Sequence, residues 1–366
     1  MLNPSNKFIG ITGTNGKSTT TALINFILRN LSLPSDLGGN IGLPCFDNQI
    51  QTNHHFVFET SSYQLDLMYQ TKFHIANLIN ITPDHIDRHG NIENYINSKK
   101  RIFNNQNSDD FSIINIDNSH TKKIYLELNN NPNFLSKIIA ISNHQIPKNG
   151  VAIINNILHN NIENNNLNLN FEHQFLKGQH NQQNIAFAFA SVYCLIKNYP
   201  QFIELNSKQI SQLILDKILL FKGLDHRMQF IKKIDNINFI NDSKATNAES
   251  TENALKTYEN IYWIVGGRAK EGGLSILKPY LNKIVKAYLI GESTESFANF
   301  FQQNKIDFEK CNELEIAFNR SFSDAKISSK NEKNILLSPA CASLGQWKNF
   351  EQRGNFFCDL VKNIKQ

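Results

Sequence analysis

Residues 7–19 read KFIGITGTNGKST. An apolar run, a glycine-rich turn and a Lys–Ser pair opening a polar-then-apolar stretch follow one another without a break. KFIGIT at 7–12 has the composition of a short buried strand, and residues 18–29 have that of a helix, so the segment predicts an α/β unit. Gly13 and Gly16 permit a tight turn whose backbone N–H groups point inward, with Thr14 and Asn15 between them and Thr19 just beyond. Such a nest, continued into a helix N-terminus, cradles phosphate. Lys17 would reach the β and γ phosphates, and the Ser18 hydroxyl would sit on Mg²⁺. Ile11 stands where the general GxxxxGK[ST] pattern has its first glycine. The plain alternative is a glycine-rich turn that only joins strand to helix.

Working outward, short strands are expected at 56–59, 75–81 and 111–116, and a helix at 91–104, where Tyr95, Ile96, Lys99 and Ile102 recur at helical spacing. Glu59 closes the apolar run FVFE. A carboxylate at the C-terminal end of a strand beside a phosphate loop can hold Mg²⁺ directly or through water; otherwise it is a solvated strand end. TPDHIDRH at 82–89 also follows an apolar strand and sends His85 toward the same crevice. Lys99 on the next helix is an ordinary solvated charge unless its face turns toward Glu59 and His85. Residues 155–170 are the Asn-richest stretch and fit either a surface hairpin or a loose loop. Residues 184–198 read as a buried helix.

KGLDHR at 222–227 marks a junction, and a second α/β pattern follows it. Strands are expected at 237–241, 260–265, 286–290 and 334–338, and helices near 248–257, 295–303, 311–320 and 350–363. NDSKATN at 241–247, GGRAKEGG at 266–273 and SPACASLGQWKNF at 338–350 each follow one of these strands. Polar loops gathered on the C-terminal ends of strands are where α/β proteins bind ligands.

The chain has 366 residues, enough for two or three domains. Its 53 asparagines fill the gap left by a low charged fraction of 19%, and Ile, Leu and Phe recur throughout, so a disordered chain is not expected. A net charge of +5 without a long basic block gives no sign of nucleic acid binding. Cysteines at 45, 194, 311, 341 and 358 form no CxxC or Cys/His group, which excludes a disulfide framework or a zinc cage. No apolar run is long enough to span a bilayer and no signal-peptide core opens the chain. The expectation is a soluble protein of a reducing, cytoplasmic compartment.

Taken together and in order, these motifs resemble the Mur ligase superfamily, in its D-glutamate-adding branch. They are GITGTNGKSTT, LGGNIGLP, FETSSYQLD, NITPDHIDRH, HNQQN, DHR, NDSKATN, GGRAKEGG and LLSPACASLGQWKNFEQRGNFF. The resemblance implies a P-loop-type, mostly parallel central-sheet domain over 1–222, which binds ATP. A smaller Rossmann-like α/β domain over 223–366 binds the incoming amino acid. It implies ATP and Mg²⁺ as cofactors and UDP-N-acetylmuramoyl-L-alanine and D-glutamate as substrates, joined through an acyl phosphate in peptidoglycan synthesis. It makes Lys17 and Ser18 phosphate and metal residues, Glu59 and His85 metal residues, and Lys99 a lysine that carries a carbamate. Asn40 falls near the acceptor's phosphate and the metal. Asn184 and Arg227 match adenine and phosphate contacts, and Asp242 a nucleotide-side residue. Thr246, Lys270, Ser343 and Phe350 match the pocket that reads D-glutamate.

One departure stands out. Members of this family carry a UDP-binding domain ahead of the phosphate loop, and here the loop begins ten residues in. The expectation is a monomer, or a chain paired with a separately encoded N-terminal domain. The alternatives in function are another Mur or folylpolyglutamate-type ligase, and a remnant that binds ATP with little ligase activity.

Overall fold

The computed structural model describes residues 6–40, 54–83, 86–197, 199–269 and 273–364. These fall into two compact units, Met1–Phe221 and Lys222–Gln366.

In the first unit the strands are β1 (Lys7–Thr12), β2 (Ser35–Gly39), β3 (His55–Glu59), β4 (Ile75–Leu78), β5 (Phe111–Asn115), β6 (Lys137–Ser142), β7 (Gly150–Ile154), β8 (Ile157–Asn160) and β9 (Leu167–Asn170). They form one sheet in the order β2-β3-β1-β4-β5-β6-β7-β8-β9. All pairings are parallel up to β7, and β8 and β9 complete the edge as an antiparallel ribbon. Strands buried on both faces need apolar residues at every position, which is why β1, β3 and β4 read as unbroken runs. Phe56 and Phe58 of β3 pack with Leu78, Tyr95, Ile102 and Ile114 on one face. That face is covered by α2 (Ser62–Leu67), α4 (Ile92–Lys100) and α5 (Ser119–Asn129), with the short α3 (Ile86–His89) ahead of α4. The other face is covered by α1 (Lys17–Asn30), α6 (Gln179–Ile196) and α7 (Ser207–Leu219).

The second unit has β10 (Gln229–Ile234), β11 (Ile237–Asn241), β12 (Ile261–Gly266), β13 (Ile284–Ile290), β14 (Phe308–Asn312) and β15 (Lys333–Leu337). Their order is β10-β11-β15-β12-β13-β14, parallel except for β10. Alternate residues of β12 divide the interior. Trp263 and Val265 join one cluster, Tyr262 and Ile264 the other. The first cluster lies under α8 (Ala248–Thr257) and α9 (Thr294–Gln303), the second under α10 (Leu314–Ile327) and α11 (Phe350–Lys362).

Both units are therefore α/β with mostly parallel sheets, as the sequence predicts. Three local expectations change. The helix expected at 311–320 starts instead at Leu314, because Phe308–Asn312 adds an edge strand beside β13. The strand expected through Ile81 leaves the ladder after Leu78, since Ile79–Thr82 turn to grip the phosphate loop. The helix expected over 91–104 is α4 followed by a 3₁₀ turn at Arg101–Phe103. Of the two forms expected for the Asn-rich stretch 155–170, the hairpin is the one found: β8 and β9 pair antiparallel at the edge of the main sheet.

Candidate functional site

β1 delivers the chain into the loop Gly13–Gly16 at the C-terminal edge of the first sheet. Gly16 has φ +86, and a Cβ there would lie 2.4 Å from Asn184 Oδ1, so the position accepts only glycine without strain. Asn184 is buried in α6 and committed to neighbours: its Oδ1 accepts from Thr20 Oγ1 at 3.2 Å, and its Nδ2 donates to Asn181 Oδ1. It thus backs the turn of the phosphate loop. The loop is also pinned by the segment that follows β4. Asn80 Oδ1 accepts from the N–H groups of Thr14 (3.0 Å) and Asn15 (2.9 Å), and Asn80 Nδ2 donates to the Asn15 carbonyl. Thr14 Oγ1 exchanges hydrogen bonds with the Thr82 backbone and meets Tyr95 OH at 3.2 Å. What remains for an anion is the start of α1, residues 16–18, with the helix dipole behind it and no acidic side chain in the first turn.

Two lysines converge on this loop. Lys17 Nζ donates to the carbonyls of Gly13 (3.0 Å) and Thr14 (2.9 Å). Lys99 is 2% exposed, and its Nζ reaches the same Gly13 carbonyl at 2.9 Å, passing 4.7 Å from the centre of the Tyr95 ring. The helix face of α4 that carries Lys99 therefore looks inward. One strand away, Glu59 pairs in register with Ile11 of β1 and Gly39 of β2. It is 2% exposed; its Oε1 accepts from Asn40 Nδ2 at 3.2 Å, and Asn40 N donates to the Glu59 carbonyl. Its Oε2 is buried with no hydrogen-bond partner among the described residues. An unsatisfied buried carboxylate oxygen is costly, and a hard cation answers it. Ser18, buried in the first turn of α1, offers a second oxygen. Among the described residues no cluster of three or more His, Cys, Asp or Glu is present. Mg²⁺ does not require one, because it keeps waters and binds through one or two carboxylates plus substrate phosphates. His85 lies outside the described residues.

In the second unit the expected residues sit on loops at the C-terminal ends of β11 and β15 and at the start of α11. Asp242 is fully buried, accepting from Met228 N (3.1 Å) and Ser338 Oγ (2.7 Å). Burial pushes its carboxyl up to about 7, against the pull of those two donors and of Arg227. Arg227 lies in the turn that Met228 closes. Thr246 is half-buried on the loop after β11, Ser343 is buried on the loop after β15, and Phe350 opens α11. Lys270 lies outside the described residues.

Arg353 joins these three places. It is 1% exposed, and its guanidinium donates to Ser243 Oγ (3.0 Å), Ser243 O (2.8 Å) and Cys341 O (3.2 Å). Ser243 Oγ in turn donates to the Phe350 carbonyl at 2.8 Å. One buried cation thus fixes the loops carrying Thr246 and Ser343 against the helix carrying Phe350. Burial without a carboxylate lowers the Arg353 pKa to about 10, which still leaves it charged at neutral pH. Sequence reasoning passed over Asn80, Tyr95, Asn241 and Arg353. A signal existed for Arg353, three residues after Phe350 and so on the same helix face.

Residues 11–192 match the Mur ligase middle domain, and residues 226–341 the Mur ligase glutamate ligase domain. The UDP-N-acetylmuramoylalanine–D-glutamate ligase of Rickettsia prowazekii is 45% identical over 356 residues, covering 97% of this chain and 76% of the relative. The protein of the same name from Wolbachia pipientis is 38% identical, covering 98% of this chain and 77% of its own length. Among solved structures, a UDP-N-acetylmuramoyl-L-alanyl-D-glutamate–2,6-diaminopimelate ligase superposes with a TM-score of 0.65 at 19% identity over 99% of this chain and 80% of its own. MurF from Acinetobacter baumannii gives 0.66 at 16% identity, covering 98% and 77%. At such identities these two establish the fold alone.

Proposed function

The chain belongs to the Mur ligase family, and from that premise we propose that it joins D-glutamate to UDP-N-acetylmuramoyl-L-alanine at the expense of ATP, in peptidoglycan synthesis. The observation that carries the reading is the convergence of Lys17 and Lys99 on one carbonyl of a phosphate loop, with a buried carboxylate oxygen that has no donor among the described residues at the end of the neighbouring strand. A loop of this kind, with Lys17 at its rim and the Lys99 and Glu59 side chains near it to receive a cation, is suited to phosphoryl transfer. Residues 1–222 are the ATP-binding part and residues 223–366 the part that binds the amino acid.

In this reading the ATP phosphates lie on the start of α1, where the Gly16 turn and the helix dipole receive negative charge. Lys17 moves from the Gly13 and Thr14 carbonyls to the phosphates, a change its flexible stem allows. The terminal carboxylate of the acceptor takes the γ-phosphoryl group, giving an acyl phosphate and ADP. The amine of D-glutamate then attacks the acyl carbon, and phosphate leaves. Glu59 and Ser18, with His85 and a carbamylated Lys99, would hold Mg²⁺, which when bound offsets charge on the transferring phosphoryl group. Asn40 orients Glu59 through its Oε1. Asp242 keeps Met228, and with it the turn bearing Arg227, in place. Thr246, Lys270, Ser343 and Phe350 would receive D-glutamate, with Lys270 paired to a carboxylate. No enzyme nucleophile is required, and the four described cysteines are buried and unactivated.

The test is phosphate release by the full chain with ATP, Mg²⁺ and UDP-N-acetylmuramoyl-L-alanine, with D-glutamate, L-glutamate, glycine and meso-diaminopimelate offered in turn. Release and amide formation with D-glutamate above the others is expected. Preference for another amino acid would overturn the assignment of substrate.

A further inference from the structure

His226 stands in the turn 225–228 and has no part in the chemistry above. The turn is strained, with φ +62 at His226 and +44 at Met228, a region that residues other than glycine avoid. β11 holds it. Asn241 is 0% exposed; its Nδ2 lies 2.9 Å from His226 Nδ1 and 3.1 Å from the Gly354 carbonyl, while its Oδ1 accepts from Ser243 N at 3.1 Å. Those two backbone groups fix the amide. Turned over, its NH₂ would face an N–H and its oxygen would face a carbonyl. A donor therefore meets Nδ1 of His226, so Nδ1 carries no proton and the ring proton is on Nε2.

The ring also meets α11. Phe350 stands edge-on to it, with centroids 6.2 Å apart and planes at 77°. One turn later, a Cβ at position 354 would come within 2.2 Å of His226 Nδ1, so α11 docks against this imidazole only because Gly354 is there. Phe350 is held on its remaining sides by Ser243 Oγ at its carbonyl and by Lys244 Nζ, 4.9 Å over its ring.

We propose that His226 is a positioning residue for the incoming amino acid: fixed by Asn241 as the neutral Nε2–H tautomer, its ring seats Phe350 and thereby sets one wall of the pocket. The pocket half of this statement rests on the ligase reading above; the tautomer half does not. Charged and titratable groups around the ring are Asp225 and Arg227 in its own turn, Lys244 after β11, and Glu351 and Cys358 on α11. Burial lowers the His226 pKa from 6.5, with Asp225 and Glu351 opposing and Lys244 adding to it.

The experiment has two arms. Full chain labelled with ¹⁵N-histidine is followed by long-range ¹H–¹⁵N correlation across about pH 5–8, and the His226→Asn variant identifies the resonance. The wild type is expected to show Nε2–H with a titration midpoint below 6.5. In Asn241→Asp, a carboxylate opposite Nδ1 draws a proton there and raises the midpoint above that of the wild type. In the kinetic arm, His226→Asn keeps an acceptor for Asn241 and a residue type at ease with positive φ, but removes the ring. The KM for D-glutamate is expected to rise ~tenfold or more while the KM for ATP stays within ~twofold. An Nδ1–H tautomer in the wild type overturns the Asn241 assignment. A D-glutamate KM unchanged in a folded His226→Asn, or an ATP KM moving in step with it, overturns the positioning role. Should the wild type turn over no D-glutamate at all, the ligase reading fails, and the spectra still uphold or reject the His226–Asn241 arrangement.

Discussion

The second oxygen of Glu59 sits in the interior without a donor among the described residues, and that makes its function testable apart from its fold. Glu59→Gln keeps the shape and the acceptor for Asn40 but removes the charge. Relieving a buried charge does not unfold a protein, so the melting temperature should hold or rise. A charged contact to a ligand is worth about 1.5–3 kcal/mol, so half-maximal turnover should need about ten times more Mg²⁺ or beyond. An unchanged Mg²⁺ titration would remove Glu59 from the metal site. Lys99 makes a different prediction. Its ammonium lies buried on the Gly13 carbonyl, where a carbamate would replace a cation with an oxygen ligand. Lys99→Ala should lose most activity and regain part of it with millimolar formate or acetate, small enough to enter the vacated space. No recovery in a variant that still melts like the wild type would exclude the carbamate.

At the scale of elements, the asparagine excess proves to have a structural use. Ile154 of β7 pairs with Ile157 of β8, leaving a two-residue turn whose Asn155 and Asn156 have φ +51 and +60. Both positive values mark the type I′ turn, whose right-handed twist suits a hairpin and which favours Asn followed by Gly. Asn156→Gly should therefore stabilise the first unit by about 0.5–1 kcal/mol, offset in part by glycine's greater freedom when unfolded. A lower urea midpoint would show that the Asn156 side chain contributes more than its backbone costs. The same elements show where sequence reading reaches and where it stops. Central strands such as β1 and β12 are buried on both faces and announce themselves as apolar runs. β9 (LNLN) and β14 (FEKCN) are edges, half polar by need, and owe their conformation to the neighbouring strand. The phosphate loop was legible because its chemistry is local to seven residues. Asn80 was not, and of Arg353 only its helical spacing from Phe350 was, because each acts on segments far along the chain: Arg353 lies 110 residues from the Ser243 it holds.

Across the whole molecule, the two units carry buried titrating groups of opposite sign. In the first, His55 lies in the interior with its Nε2 2.9 Å from Tyr199 OH, and burial lowers its pKa from 6.5 to about 4; His74 is shifted to the same value, also chiefly by burial. The folded unit binds fewer protons than the unfolded chain between those values. Its stability is thus present above pH 6.5 and is lost as pH falls toward 4. In the second unit, Asp242 is raised from 3.8 to about 7, so the folded state binds more protons across that window. The contribution of its carboxyl is present below 3.8 and is lost as pH rises through 7, a change on the order of 4 kcal/mol at 1.36 kcal/mol per pKa unit. His226 opposes this, but its effect ends at 6.5. Single substitutions separate the two. Asp242→Asn can still accept from Met228 N and donate to Ser338 Oγ without acquiring a charge. Its stability relative to the wild type should therefore rise from about pH 5 to about pH 7 and level off above it. His55→Gln, which cannot be protonated, should gain on the wild type in the other direction, as pH falls from about 6.5 to 5. Calorimetry of both variants against the wild type at three pH values decides the matter, whether the units melt together or apart. Differences that slope the same way with pH, or not at all, would mean that the burial of Asp242 or of His55 does not govern its titration.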